Sequence, residues 1–102
     1  MNSKQKGNRG ERELCKALRD YGYNCYRTQQ YCGNNGDADV EGLDGIHIEC
    51  KRTERLQLYD SIAQAVHDTK GGLPTVFHKK NNCGWLVVMR LEDWMKLYKG
   101  EL

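Results

Sequence analysis

Apolar residues in this chain keep helical spacing in some stretches and strand-like alternation in the segments between them. That switching confines the fold to a sheet with helices packed on it. From about Arg9 to Tyr21, Leu14, Cys15 and Leu18 share one helical face, and Gly22 supplies a stop. Leu58, Ile62, Ala65 and Val66 repeat the pattern ahead of Gly71 and Gly72. A last short helix over Glu92–Tyr98 would set Trp94, Leu97 and Tyr98 against the body. Strands are expected near Asn24–Thr28, Asp37–Glu41, Ile46–Lys51, Thr75–His78 and Trp85–Arg90. Gly42–Gly45 and Lys79–Gly84 read as hairpin turns, and Tyr31–Gly36 as a loop of glycines and asparagines. The order α-β-β-β-α-β-β-α describes an α/β chain with one mixed β-sheet flanked by helices.

A length of 102 residues suits a single domain with one modest core. With 38% hydrophobic and 29% charged residues the chain can build that core, which excludes a disordered tail. The longest apolar run, Trp85–Met89, falls far short of the roughly 20 residues that span a bilayer. The first residues carry charge with no apolar stretch behind them, so an intracellular location is expected. Cys15, Cys25, Cys32, Cys50 and Cys83 are odd in number and lack the close pairing of a zinc site. They read as free thiols in a reducing compartment.

Chemistry is carried by residues that break the apolar pattern. Glu11 precedes Leu14, Cys15 and Leu18 by helical steps, so it projects from the inward stripe of the first helix. A carboxylate there needs a cation or hydrogen bonds, unless it only complements the helix dipole. Glu49 and Lys51 share one face of the third strand while Ile48 and Cys50 turn the other way. In the preceding strand Asp37, Asp39 and Glu41 share a face, and the short turn can bring one of them opposite Glu49. Carboxylates from a helix and two strands would thus converge with a lysine. Their repulsion calls for a divalent cation, a proton or the lysine. Oxygen donors suit Mg²⁺ or Mn²⁺, and phosphodiester hydrolysis is the chemistry that uses such a cluster. The cation would polarise a phosphoryl oxygen and acidify water, while Lys51 positions the attacking hydroxide.

The segments Lys6–Leu14, Gly36–Val40 and Ile46–Lys51, in this order and spacing, resemble the PD-(D/E)XK nuclease superfamily. The likeness is strongest to its archaeal-type Holliday-junction resolvases (Hjc-like) and to small phage-encoded endonucleases related to them, and it covers roughly Lys6 to Lys80. It implies a restriction-endonuclease-like fold and a Mg²⁺-dependent (or Mn²⁺-dependent) DNA endonuclease acting on Holliday junctions or other branched DNA, in viral or mobile-element DNA processing. By that resemblance Glu11 is the helix glutamate, Asp39 the metal-binding aspartate, and Glu49 with Lys51 the E-x-K pair. The implied metal ligands are Asp39, Glu49 and Glu11. Ala38 stands where proline often precedes the aspartate, which leaves Asp37 as a competitor for the metal role. The Gln-x-x-x-Tyr motif of RecB-like exonucleases is absent, since Ser61 follows Gln57 and Asp68 follows Gln64 at that spacing.

Basic clusters surround these acids. The residues expected to hold DNA are Lys6, Arg9, Arg27, Tyr31, Arg52 and Arg55. Lys4, Lys6 and Arg9 would sit at a helix N-terminus just before Glu11, where free N–H groups favour phosphate. Gln29, Gln30 and Tyr31 lead into the glycine-rich loop, with Tyr31 placed to stack on an exposed base. His47 alternates with Glu49 and either lines the site or is structural. No base-reading element is evident, so phosphates and DNA shape would be recognised. Cutting two symmetry-related strands would require a two-fold homodimer. The competing reading is a non-catalytic nucleic-acid-binding module that keeps the fold without the reaction.

Overall fold

Among the described residues, three helices and five strands form in the expected order. The structure is a computed structural model that describes residues 3–28 and 38–102, with side chains of the first helix described from residue 7. Helix α1 (Ser3–Asp20) leads into β1 (Tyr26–Arg27), β2 (Val40–Glu41) and β3 (Ile46–Arg52). Helix α2 (Leu58–Asp68) follows, then β4 (Leu73–Lys79), β5 (Leu86–Met89) and α3 (Leu91–Lys99). The strands lie side by side in the order β1-β2-β3-β4-β5. All neighbours are antiparallel except β3 and β4, which run parallel because α2 crosses between them. Among the described residues no helix is long and apolar enough to cross a membrane.

α1 begins six residues earlier than its apolar periodicity indicates. Ser3 to Asn8 carry no apolar side chain, so their turns leave no mark in a hydrophobic pattern. The N-terminus therefore lies about two turns before Glu11 and not beside it. Lys4 and Lys6 belong to the first turn, whose N–H groups have no partner within the helix, and Arg9 lies further along. The helix ends as anticipated, with Gly22 at φ 98° and its N–H donating to the Arg19 carbonyl at 2.8 Å.

The even-numbered residues of β3 face α1. Ile48 joins Leu14, Cys15, Cys25, Val40 and Phe77 in the core, with Ile46 and Cys50 packed beside them. A Cβ on Gly10 would lie 2.4 Å from Cβ of Arg52, so only glycine lets α1 approach β3 this closely. The odd-numbered residues His47, Glu49 and Lys51 face the other way, toward α2. That helix buries Ser61 and Ala65, not the expected Leu58, which is exposed. Small side chains at these two positions seat the helix close to the sheet.

α3 departs furthest from expectation. Trp94, Leu97 and Tyr98 remain 45%, 41% and 73% exposed, and the residue turned inward is Asp93, bonded by the Arg90 guanidinium at 2.8 Å. Helical spacing marks an apolar face without saying what covers it. Here Trp94 and Tyr98 stack on each other, ring centroids 4.9 Å apart. An apolar groove of about 710 Å³, lined by Leu18, Ile46, Phe77, Val87, Met89 and Leu97 among others, separates α3 from α1.

Two glycines of one helix therefore predict opposite outcomes. Gly10→Ala will lower stability by about 1–3 kcal/mol through overpacking against Arg52. Gly7→Ala, with open space around its Cβ, will raise stability by about 0.5–1 kcal/mol. Urea-unfolding midpoints of the two variants measure both.

Candidate active site

Antiparallel pairing of β2 with β3 sets Val40 opposite Ile48, and the next residue, Asp39, is drawn in beside Glu49. Hydrogen bonds hold Asp39 on both sides: its N–H donates to the Ile48 carbonyl at 2.9 Å, its carbonyl accepts the Thr28 N–H at 3.1 Å, and its Oδ2 accepts the Cys50 N–H at 2.8 Å. Its neighbour Glu49 is 7% exposed. Burial pushes the Glu49 carboxyl up to about 8, helped by the charge and acceptor oxygens of Asp39 and, further off, by Asp68. Lys51, two residues along the same face, acts in the opposite direction.

Glu11 comes near but does not join them. Its Oε1 accepts from Nε of Arg27 at 3.1 Å, and the same guanidinium reaches Oδ1 of Asn8 at 2.9 Å. Burial raises the Glu11 pKa, Arg27 opposes that, and the charge of Asp39 adds to it. The expected convergence of three carboxylates is thus reached by two, with the third held by an arginine at its edge. Among the described residues, no group of three or more His, Cys, Asp or Glu is assembled as a metal site. The donor chemistry nevertheless fits a hard cation, because two adjacent carboxylates, one of them buried, offer oxygen donors whose mutual repulsion a cation would relieve.

His47 and Asp68 complete the surroundings; the sequence leaves His47 between lining the site and a structural part, and points to nothing for Asp68. Nε2 of His47 lies 2.7 Å from Oε1 of Glu49. Burial lowers the His47 pKa, while Asp68 and Asp39 act to raise it. The alternation of His47 with Glu49 was a usable signal for one. Asp68, at the end of α2, had none, since only the crossover brings it to this face. A polar cleft of about 530 Å³, lined by Tyr26, Ala38, Glu41, His47, Lys70 and Gly72 among others, opens beside His47.

The basic residues divide by environment. Arg52 is largely buried, bonding Glu13 at 3.2 Å, the Lys79 carbonyl at 3.3 Å and Asn81 at 3.0 Å, so it ties α1 and the β4–β5 turn to β3. Arg27 is likewise engaged. Arg9 and Arg55 are exposed. Tyr31 and Asp37 lie outside the described residues, as does the Lys6 side chain.

No protein family's sequence profile matches the chain, and no curated protein matches it by sequence. Among solved structures it is similar to Archaeoglobus fulgidus Hjc, a Holliday junction resolvase from an archaeal hyperthermophile. The TM-score is 0.64 at 23% identity, covering 81% of this chain and 76% of that one. The mixed sheet flanked by helices thus shares the fold of that protein, as the sequence resemblance implied.

Two predictions follow from the charges. The Glu49 carboxyl titrates higher when folded than its ordinary 4.5. Its contribution to stability is therefore complete below that pH and lost as pH rises through about 8. Without divalent cations, the melting temperature of the wild type should fall between pH 5 and 8.5 more steeply than that of Glu49→Gln, as calorimetry at both limits will show. Separately, Arg52→Ala should destabilise by about 1–3 kcal/mol by removing its bonds to Glu13, Asn81 and the Lys79 carbonyl, whereas Arg55→Ala should stay within about 0.5 kcal/mol. Chemical denaturation of the pair distinguishes an arginine that holds the fold from one left for a ligand.

Proposed function

We propose that this chain is a metal-dependent DNA endonuclease with Glu11, Asp39, Glu49 and Lys51 as its active site. The observation that carries this reading is the pairing of Asp39 with buried Glu49, with Lys51 on the same strand face. A fold stabilised only by packing gains nothing from two adjacent carboxylates, one of them raised so far by burial first and by its neighbour second. The likeness in fold to a Holliday junction resolvase supports the same reading.

Asp39, Glu49 and Glu11 would hold Mg²⁺ or Mn²⁺, which when bound supplies Lewis-acid polarisation of the scissile phosphate. The Asp39 carboxylate is oriented by the sheet itself, through the Cys50 N–H, so little reorganisation is needed to present its oxygens. Lys51 offers an ammonium beside the acids, suited to steadying negative charge as it develops on phosphoryl oxygens. Arg9 and Arg55, with Lys6 and Tyr31, would hold the DNA backbone. Arg27 and Arg52 serve first to hold Glu11 and α1.

Branched DNA such as a four-way junction is the substrate class this reading favours. Its two equivalent strands call for a two-fold dimer. The exposed Leu91, Trp94, Leu97 and Tyr98 of α3 are apolar surface that a second subunit could cover.

The test is a panel of four-way junction, flap, duplex and single-stranded DNA incubated with Mg²⁺ or Mn²⁺. Paired incisions in the junction are expected from a species of twice the chain mass by sedimentation. Glu49→Ala should reduce cutting by at least about 100-fold. DNA binding without metal-dependent cleavage on any substrate would favour the non-catalytic binding module instead.

A further inference from the structure

We propose that His47 is a positioning residue for Glu49, its imidazole fixing one carboxylate oxygen so that the group meets a divalent cation in a single orientation. This rests on the cation-binding reading above and concerns a residue outside the active-site quartet.

The geometry is specific. His47 and Glu49 are 6% and 7% exposed, two apart on one face of β3, with Nε2 and Oε1 2.7 Å apart. Parallel pairing places Pro74 and Val76 of β4 beside them, and neither side chain has a polar atom to bond either group. Asp68 lies near enough for its charge to reach both residues, yet its own oxygens are engaged by Gln64 at 2.8 Å and His67 at 3.1 Å. The turn after α2 runs beside His47. A Cβ on Gly72 would lie 2.9 Å from the His47 backbone nitrogen and 3.4 Å from its Cβ, so the chain passes in contact with His47.

A carboxylate turns readily about its terminal bond, and one that must ligate a metal benefits from losing that freedom beforehand. A neutral imidazole achieves this by donating Nε2–H to Oε1. Water would do so poorly in a site this covered. Removing such an outer partner of a metal ligand typically weakens metal affinity about 10–100-fold.

The test titrates Mn²⁺ alone into the full chain, read by electron paramagnetic resonance and by thermal shift, with no DNA present. Wild type is compared with His47→Leu, His47→Asn and His47→Gln. Leucine and asparagine should weaken Mn²⁺ binding about 10–100-fold. Glutamine, long enough to donate to Oε1, should restore most of it, which a packing role alone would not produce. Equal affinity in wild type and the asparagine variant overturns the proposal, as does a glutamine variant no better than asparagine. Absence of Mn²⁺ binding by wild type overturns the cation reading itself and this inference with it. Should the leucine variant fail to fold, the asparagine–glutamine pair still decides.

Discussion

The register between β2 and β3 is the constraint on which the rest depends. Val40 and Ile48 face each other without solvent exposure, and the same alignment puts Asp39 next to Glu49. A slip of one residue would turn Val40 to water and drive an acid into the core. Apolar packing on one face of the sheet therefore opposes charge repulsion on the other. Gly42, at φ 127° and tight against Cys25, makes the turn that fixes this alignment.

Much of this could be read from residue spacing. Alternation in Ile46–Lys51 separates Ile48 and Cys50 from Glu49 and Lys51, and those two faces are the ones found. Gly22, Gly42 and Gly45 mark turns that only a residue free of Cβ makes easily. Periodicity is silent where it has no apolar residue to register, hence the early turns of α1. It also ranks Leu58 above Ser61, although distance to the sheet is what decides which of them is covered. In α3 the stripe is real, but Asp93 with its own arginine takes the inward place.

Charge was harder to read than hydrophobicity, because a cluster of arginines in sequence does not reveal where each one ends. Arg52 and Arg55 are three positions apart and behave as opposites: one is a buried tie among Glu13, Asn81 and the Lys79 carbonyl, the other is open to solvent. Arg27 meets Glu11 across sixteen residues, a pairing that depends on where β1 lies against α1. Such partners are long-range, and no local pattern encodes them.

Asp39 has a consequence for how this site can change over time. One of its oxygens accepts the Cys50 N–H, a bond that a strand neighbour's carbonyl would otherwise provide. The carboxylate is thus a stitch in the sheet as well as a member of the acidic pair. Drift at position 39 is penalised twice, once in any reaction and once in the fold. Among the described residues, the Glu49 carboxylate has no such bond to backbone. A descendant in which neither acid served a reaction would be freer to lose Glu49 first, keeping Asp39 as a part of the architecture.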